Sequence, residues 1–152
     1  MRLTAKQAKE IFGIEVIEDD DDRKTSVPPK GNAKGGIRAD LGHYVRSKME
    51  ANVERWLKWR RDVQHDITAY EYEPKRFEFP VKRGVTSYLP DFRVWESGMT
   101  YYFEVKGWMD PKSKTALKRM AKYYPEIKIE LMDGPRYKRL SSHLGPLIKH
   151  WE

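Results

Sequence analysis

Apolar residues recur with helical spacing in one long segment near the middle of the chain. Between Leu41 and Arg61 the apolar side chains are three or four positions apart. They are Tyr44, Val45, Met49, Val53, Trp56 and Leu57. This spacing predicts an amphipathic helix that runs through about Arg61.

The pattern then changes to alternation at every second position. Residues 67–81, 86–95 and 99–107 are rich in aromatic and β-branched side chains, and each stretch predicts a strand. Gly84 and the pair Ser97-Gly98 predict the turns between them. We therefore expect an antiparallel meander of three strands.

Helical spacing returns in the last third of the chain. Residues 111–124 predict a second helix with Pro111 in its first turn, and residues 126–132 predict a fourth strand. Residues 137–152 predict a basic helical tail that breaks near Gly145-Pro146. A strand–helix–strand crossover beside a meander predicts an α/β fold, with a mixed sheet flanked by helices.

The first forty residues differ from the rest in composition. Residues 3–14 predict a short helix that Thr4 caps and Gly13 ends. Residues 18–40 combine five consecutive acids with Pro-Pro and Gly-Gly pairs, which predicts a flexible charged linker. The expected organisation is therefore an N-terminal segment, residues 1–40, followed by one domain, residues 41–152, with a basic tail.

The charge of the chain indicates a polyanionic partner. The net charge is +7, and the block Glu18–Asp22 leaves the remaining residues still more basic. Nucleic acid is the usual partner of so basic a domain, although a merely basic surface would also explain the charge. With 35% charged residues, no cysteine and no secretory pattern at the start, we expect a cytoplasmic protein without a membrane partner.

Two carboxylates and an ammonium group stand at the ends of predicted strands. Glu104 and Lys106 are two positions apart, so both side chains leave the same face of their strand. Phe103 and Val105 point to the other face, towards the core. The turn between the second and third strands brings Asp91 close to Glu104.

Neighbouring carboxylates repel each other unless a cation neutralises them. Mg²⁺ or Mn²⁺ prefers oxygen ligands, and such an ion can hold a scissile phosphate and make a bound water more acidic. Lys106 would then orient or deprotonate the attacking water, or neutralise the developing phosphorane charge. The simpler alternative is that Asp91 and Glu104 are edge-strand charges that prevent aggregation, and that Lys106 pairs with Glu104.

Pro90-Asp91 followed by Glu104-Val105-Lys106 resembles the signature of the PD-(D/E)xK nuclease superfamily. A helix with a glutamate precedes that signature, and the segment RSKMEANVERWLKW places Glu50 in the matching position. The resemblance covers roughly residues 42–132 and implies a restriction-endonuclease-like core in the order α-β-β-β-α-β. It also implies Mg²⁺-dependent phosphodiester cleavage, with Mn²⁺ as a substitute. Glu50, Asp91 and Glu104 would bind the metal, and Lys106 would complete the catalytic set.

Two glutamates leave alternatives open. The segment SKME, from Ser47, is also a capping-box pattern, in which Glu50 reaches back to the start of its own helix. In that case Glu54, one turn further on, would take its place at the metal. Glu73 is either a further site carboxylate or a charge on the strand surface.

Basic residues near the motif are candidates for phosphate contacts, which give affinity without reading bases. They are Arg46, Lys112, Lys114, Lys118, Arg119, Lys122, Arg136, Lys138 and Arg139. A solvated helix face would explain part of this set. Since no zinc-finger or clear helix-turn-helix pattern is present, we expect recognition of DNA shape.

Small basic members of the superfamily include archaeal-type Holliday junction resolvases and phage endonucleases. The resemblance to them implies a homodimer that cuts a four-way DNA junction symmetrically, in a host cell infected by a phage. The first forty residues depart from the resolvase pattern, so the substrate stays open. The alternatives are a phage or transposon-type endonuclease for duplex or flapped DNA, an RNA nuclease and a non-catalytic basic DNA-binding protein. The intact carboxylates argue against the last, because they would oppose phosphate binding.

Overall fold

The described part of the chain begins with a hairpin and a helix. The computed structural model describes residues 34–152. Strand β1 (Gly36–Arg38) pairs antiparallel with β2 (His43–Val45), and helix α1 covers Lys48–Trp59. The prediction of a helix from residue 41 is therefore wrong at its start, and residues 36–38 of the predicted linker form a strand. The helix predicted for residues 3–14 and most of that linker lie outside the described residues.

Ser47 determines where α1 begins. Its backbone is extended, with φ −148° and ψ 159°, and its side chain accepts a hydrogen bond from the N–H of Glu50. Val45 is buried and Tyr44 is exposed, as alternation along a strand requires. Tyr44 and Val45 are only two apolar residues at the end of a short strand, and such a pair fits helical spacing as well as strand alternation. This ambiguity explains why the start of the helix was predicted too early.

The C-terminal end of α1 widens into a π-helical segment, Arg60–Gln64. His65 follows in the left-handed conformation, with φ 54°, and its N–H bonds to the carbonyl of Arg60. The helical stretch thus ends a few residues after the predicted position near Arg61.

The predicted meander is present with one interruption. Strand β3 (Ala69–Tyr72) is followed by the short strands β4 (Phe77–Glu78) and β5 (Ser87–Tyr88), and then by β6 (Phe92–Glu96) and β7 (Met99–Lys106). β4 and β5 pair with each other as a separate ribbon. The predicted strand 67–81 is divided because the residue after Tyr72 adopts a positive φ and the next is a proline.

The remaining elements complete a mixed sheet. Helix α2 (Pro111–Tyr123) connects β7 to β8 (Ile129–Asp133), and helix α3 (Gly134–Leu144) and a 3₁₀ turn (Gly145–Leu147) follow. The strand order is β3-β6-β7-β8, with β8 parallel to β7 and the other neighbours antiparallel. The predicted α/β class is confirmed, with a mixed sheet and three helices.

The turn Ser97-Gly98 sets the register of the central hairpin. Both residues have positive φ, 51° and 75°, as a type I′ turn requires, and Glu96 lies opposite Met99. The same register places Phe92 opposite Phe103. Asp91 is therefore carried to the neighbourhood of Glu104.

Two apolar clusters pack against the sheet. One joins α1 and the C-terminal helix to it through Val53, Trp56, Leu57, Phe92, Phe103 and Leu140. The other joins α2 and the ribbon through Phe77, Tyr88, Tyr102, Ala116 and Met120. The neighbours Tyr102 and Phe103 belong to different clusters because successive side chains of a strand point to opposite faces. No helix among residues 34–152 has the length and apolar character that crossing a membrane requires.

Candidate active site

The four residues predicted to carry the chemistry line one cleft. The cleft has a volume of about 790 Å³ and opens between the N-terminal end of α1, the end of β7 and the start of α2. Its walls include Arg46, Glu50, Tyr88, Asp91, Glu104 and Lys106. Residues that are far apart in the sequence thus meet at one place on the surface.

Asp91 lies at the N-terminal end of the central strand β6. It precedes β6, its N–H bonds to the carbonyl of Phe103 at 3.1 Å, and only 3% of its surface is exposed. Oδ2 accepts a hydrogen bond from the N–H of Val105 at 2.7 Å, and Oδ1 lies 2.8 Å from Nη2 of Arg46. The backbone of β7 therefore fixes the orientation of this carboxylate.

Glu104 is held by a tyrosine from the ribbon. It is 7% exposed, and the hydroxyl of Tyr88 donates to its Oε2 at 2.6 Å. Tyr88 itself is buried, and burial raises the pKa of its hydroxyl, with the charge of Glu104 adding to the rise. Tyr88 therefore remains a neutral donor at physiological pH.

Glu50 makes a contact at the start of its own helix and also lines the cleft. Its Oε2 accepts a hydrogen bond from the N–H of Arg46 at 3.2 Å, as in a helix cap, and another from the hydroxyl of Tyr72 at 3.1 Å. The same carboxylate, 8% exposed, lines the cleft. Glu54 instead bonds to His43 and Tyr70 and does not line the cleft, so the structure favours Glu50 as the site residue.

Lys106 lies at the rim of the cleft, with about a third of its side chain exposed. Its Nζ is 3.5 Å from Oδ2 of Asp110, the residue that caps α2. The predicted alternative, a direct pair with Glu104, is not the contact formed. The ammonium nevertheless stabilises the ionised form of Glu104 from a distance, because its charge lowers the pKa of that carboxyl.

Burial and mutual repulsion raise the pKa values of the central carboxyls. Burial raises the pKa of Asp91 well above 3.8, and the charges of Glu104 and Glu50 raise it further, against the opposing effects of Val105 N–H and Arg46. Burial also raises the pKa of Glu104, against the hydrogen bond from Tyr88 and the charge of Lys106. The cluster thus carries an unfavourable excess of negative charge, which a cation would relieve.

The donor set suits a hard divalent cation. Three carboxylates from three different elements face one cleft, and hard ions such as Mg²⁺ and Mn²⁺ prefer oxygen ligands. Within residues 34–152, however, no group of three or more His, Cys, Asp or Glu side chains has a geometry that could hold a metal ion. In this geometry a guanidinium, that of Arg46, stands among the carboxylates.

No match identifies the chain. Neither a protein-family model, nor a curated protein, nor a solved structure matches it.

Apart from Arg46, which contacts the site carboxylates, the basic residues predicted to contact phosphate fall into two groups. Lys112, Lys114, Lys118, Lys122, Lys138 and Arg139 are exposed on α2 and α3. Arg119 instead donates to the carbonyls of Arg83 and Val85, and Arg136 pairs with Glu130 at 3.1 Å. Because both guanidinium groups have structural partners, they are weaker candidates for phosphate contacts than the exposed lysines.

Three residues of the site make contacts that were not anticipated from the sequence. Tyr88 and Tyr72 orient Glu104 and Glu50, and Arg46, predicted only as a DNA contact, binds Asp91 and the further carboxylate Glu73. The tyrosines occur in strands rich in aromatic residues, where nothing in the alternation separates a hydrogen-bond donor from a core residue. The position of Arg46, one residue before the helix cap and four before Glu50, was the one available signal.

Proposed function

We propose that the chain is a metal-dependent DNA endonuclease of the PD-(D/E)xK type that cleaves phosphodiester bonds in branched DNA, most specifically a Holliday junction resolvase. The observation that carries the proposal is the meeting of Glu50, Asp91, Glu104 and Lys106 at one cleft. These side chains come from α1, from β7 and from the residue that precedes β6, and burial of three carboxylates against each other has no structural benefit of its own.

The order of the elements around the sheet gives further support. A helix, three antiparallel strands, a helix and a parallel strand follow one another in α1, β3, β6, β7, α2 and β8. A restriction-endonuclease-like core has this order, and the cleft opens where the superfamily signature lies. The ribbon β4–β5 lies between β3 and β6 in the chain and contributes Tyr88 to the site.

The chain's own residues can be assigned roles in such a reaction. Glu50, Asp91 and Glu104 would hold Mg²⁺ or Mn²⁺, which supplies stabilisation of the phosphodiester charge and a more acidic water. Tyr88 and the N–H of Val105 keep two of these carboxylates in place. Lys106, at the rim, would as an ammonium orient the attacking water or neutralise the charge that develops on the phosphate.

The surface beside the cleft suits a nucleic-acid backbone. The exposed lysines of α2 follow the cleft directly, since Ser113 and Ala116 of that helix line it. Phosphates bound along α2 would bring the scissile bond to the carboxylates. A symmetric four-way junction needs two incisions, so the active form we propose is a homodimer.

The proposal is tested by cleavage assays with a labelled four-way junction, a flap, a linear duplex and a single-stranded RNA, each with Mg²⁺ or with EDTA. Paired symmetric nicks in the junction alone, lost with EDTA and in Asp91→Asn, would support the resolvase. Cleavage of duplex or flap to the same extent would leave the metal-dependent nuclease but remove the junction preference. Tight DNA binding without cleavage of any substrate would contradict enzymatic function.

The matched control is Asp62→Asn, which removes a carboxylate from the exposed pair that Asp62 forms with Arg61, outside the cleft. This variant is expected to cut at the wild-type rate. Equal loss in both variants would show that the assay reports general damage to the protein instead of the site.

A further inference from the structure

Arg46 places a guanidinium among the site carboxylates. Its Nη2 lies 2.8 Å from Oδ1 of Asp91 and 3.1 Å from Oε1 of Glu73, and its Nε lies 3.8 Å from Oε2 of Glu50. Oδ2 of Asp91 already accepts the hydrogen bond of Val105 N–H. Arg46 therefore contacts the carboxylate oxygen of Asp91 that accepts no backbone hydrogen bond.

The exposure of Arg46 differs from that of the structural arginines. Half of its side chain, 51%, is exposed, whereas the carboxylates it contacts at Asp91 and Glu50 are 5% and 10% exposed. Arg55 and Arg60 also bind carboxylates, but their side chains are 5% and 9% exposed and enclosed by protein. Rotation of its own side chain is thus enough to free Arg46, and no part of the core has to open.

We propose that Arg46 is a removable counter-ion of this site: in the DNA-free protein it occupies the carboxylate oxygens that a divalent cation needs, and a DNA phosphate draws it away. This inference rests on the proposed function. In this role Arg46 acts through the position of its positive charge and not through the packing of its side chain.

The physical basis is competition between two cations for the same oxygen atoms. A guanidinium relieves the repulsion among the carboxylates but cannot polarise a phosphodiester as a divalent ion does. A phosphate in the cleft offers Arg46 an alternative bidentate partner. Since coupling between two ligands is reciprocal, DNA would raise the affinity for metal and metal would raise the affinity for DNA.

The test is isothermal titration of the full chain with Mn²⁺ in the absence of DNA. Arg46→Gln is expected to bind Mn²⁺ about tenfold more tightly than the wild type, a coupling within the usual range. The matched control is Arg61→Gln, which removes the same charge from an arginine that pairs with Asp62 outside the cleft and is expected to leave the Mn²⁺ affinity unchanged. A merely structural role of Arg46 would weaken metal binding or leave it unchanged.

A second titration adds a short DNA duplex, in a Lys106→Ala background that is not expected to cut it. DNA should raise the Mn²⁺ affinity of the protein with Arg46 severalfold. With Arg46→Gln the affinity should already be high, and DNA should add little. An equal effect of DNA in both proteins would overturn the proposal.

The outcomes separate this inference from the proposed function. If Asp91→Asn removes Mn²⁺ binding but Arg46→Gln does not tighten it, the metal site stands and the counter-ion role is wrong. If neither the wild type nor Arg46→Gln binds Mn²⁺, both proposals fail. If Arg46→Gln does not fold, the variant Arg46→Lys is used in its place. A lysine has a single ammonium group, which cannot bridge three carboxylates. Tighter Mn²⁺ binding by Arg46→Lys would therefore support the proposal, and unchanged binding would overturn it.

Discussion

Asp91→Asn should make the protein more stable while it removes the proposed activity. In the wild type Asp91 is nearly fully buried beside Glu104 and Glu50, and burial together with these charges raises its pKa. Asparagine has almost the same shape, and its Oδ1 can still accept the hydrogen bond from Val105 N–H. What changes is that one buried negative charge disappears.

The expected gain follows from two opposing effects. An ionised carboxylate in a buried site costs several kcal/mol even after relaxation. The substitution also loses the ion pair with Arg46, which contributes only about 1 kcal/mol because half of the arginine side chain is in water. A net gain of about 2 kcal/mol would raise Tm by about 4–8 °C, at 2–4 °C per kcal/mol for a chain of this size.

The stability that Asp91→Asn gains over the wild type must increase as the pH rises. Because the folded protein holds the proton of Asp91 more tightly than the unfolded chain, wild-type stability falls as pH rises from about 3.8 through the raised folded-state pKa. Asp91→Asn lacks this contribution. Its advantage in Tm, measured by circular dichroism, should be small at pH 4 and full above the folded-state pKa of Asp91.

Asp40→Asn provides a control of opposite sign. Arg55 donates to both oxygens of Asp40, at 2.8 and 3.0 Å, and this hydrogen bonding lowers the pKa of Asp40. Loss of the Asp40 carboxylate should destabilise the protein by about 2 kcal/mol at pH 7. The destabilisation should become smaller as the pH falls through the ordinary pKa of an aspartate. A lower Tm for Asp91→Asn than for the wild type at pH 7, or an equal difference at pH 4, would refute the electrostatic reasoning.

Three further variants, one of them a double substitution, test individual roles in the site and on α2. Tyr88→Phe should slow single-turnover cleavage at least tenfold and lower the free energy of unfolding by about 1–3 kcal/mol, because Glu104 loses its buried hydrogen-bond donor. Unchanged cleavage would show that Tyr88 is a core residue only. Lys106→Ala should reduce the cleavage rate at least a hundredfold with DNA binding retained, and equal loss of both would contradict the assigned role. Lys114→Ala with Lys118→Ala should weaken binding to all DNA sequences and reduce the slope of log affinity against log salt by about two, as fluorescence anisotropy can measure.

The sequence predicted those parts of the structure that depend on local pattern. Ser97-Gly98 permits the two-residue turn, and the turn fixes the register that brings Asp91 to Glu104. Pro111 and the preceding aspartate define the start of α2 in the same local way. Each of these features is set by a few neighbouring residues, so single-sequence reasoning can find it.

The features that were missed depend on contacts between distant segments. Tyr44 and Val45 fit helical spacing, and only pairing with β1 makes them a strand. Tyr88 becomes a partner of Glu104 only because the ribbon folds over the cleft. Arg46 reaches Asp91 across 45 positions of sequence, a separation at which no local pattern operates.

The hydrogen bond between Val105 N–H and Asp91 implies that the site assembles in two stages. Its partners are 14 residues apart, on one hairpin, whereas Arg46 and Asp91 are 45 apart. Hairpins of this kind close in about 1–10 μs, and longer loops carry a larger entropic cost of closure. The half of the site that contains Asp91 and Glu104 can therefore form early and locally. The docking of α1 then brings the third carboxylate, that of Glu50, together with Arg46, so the last negative charge arrives with a counter-ion beside it.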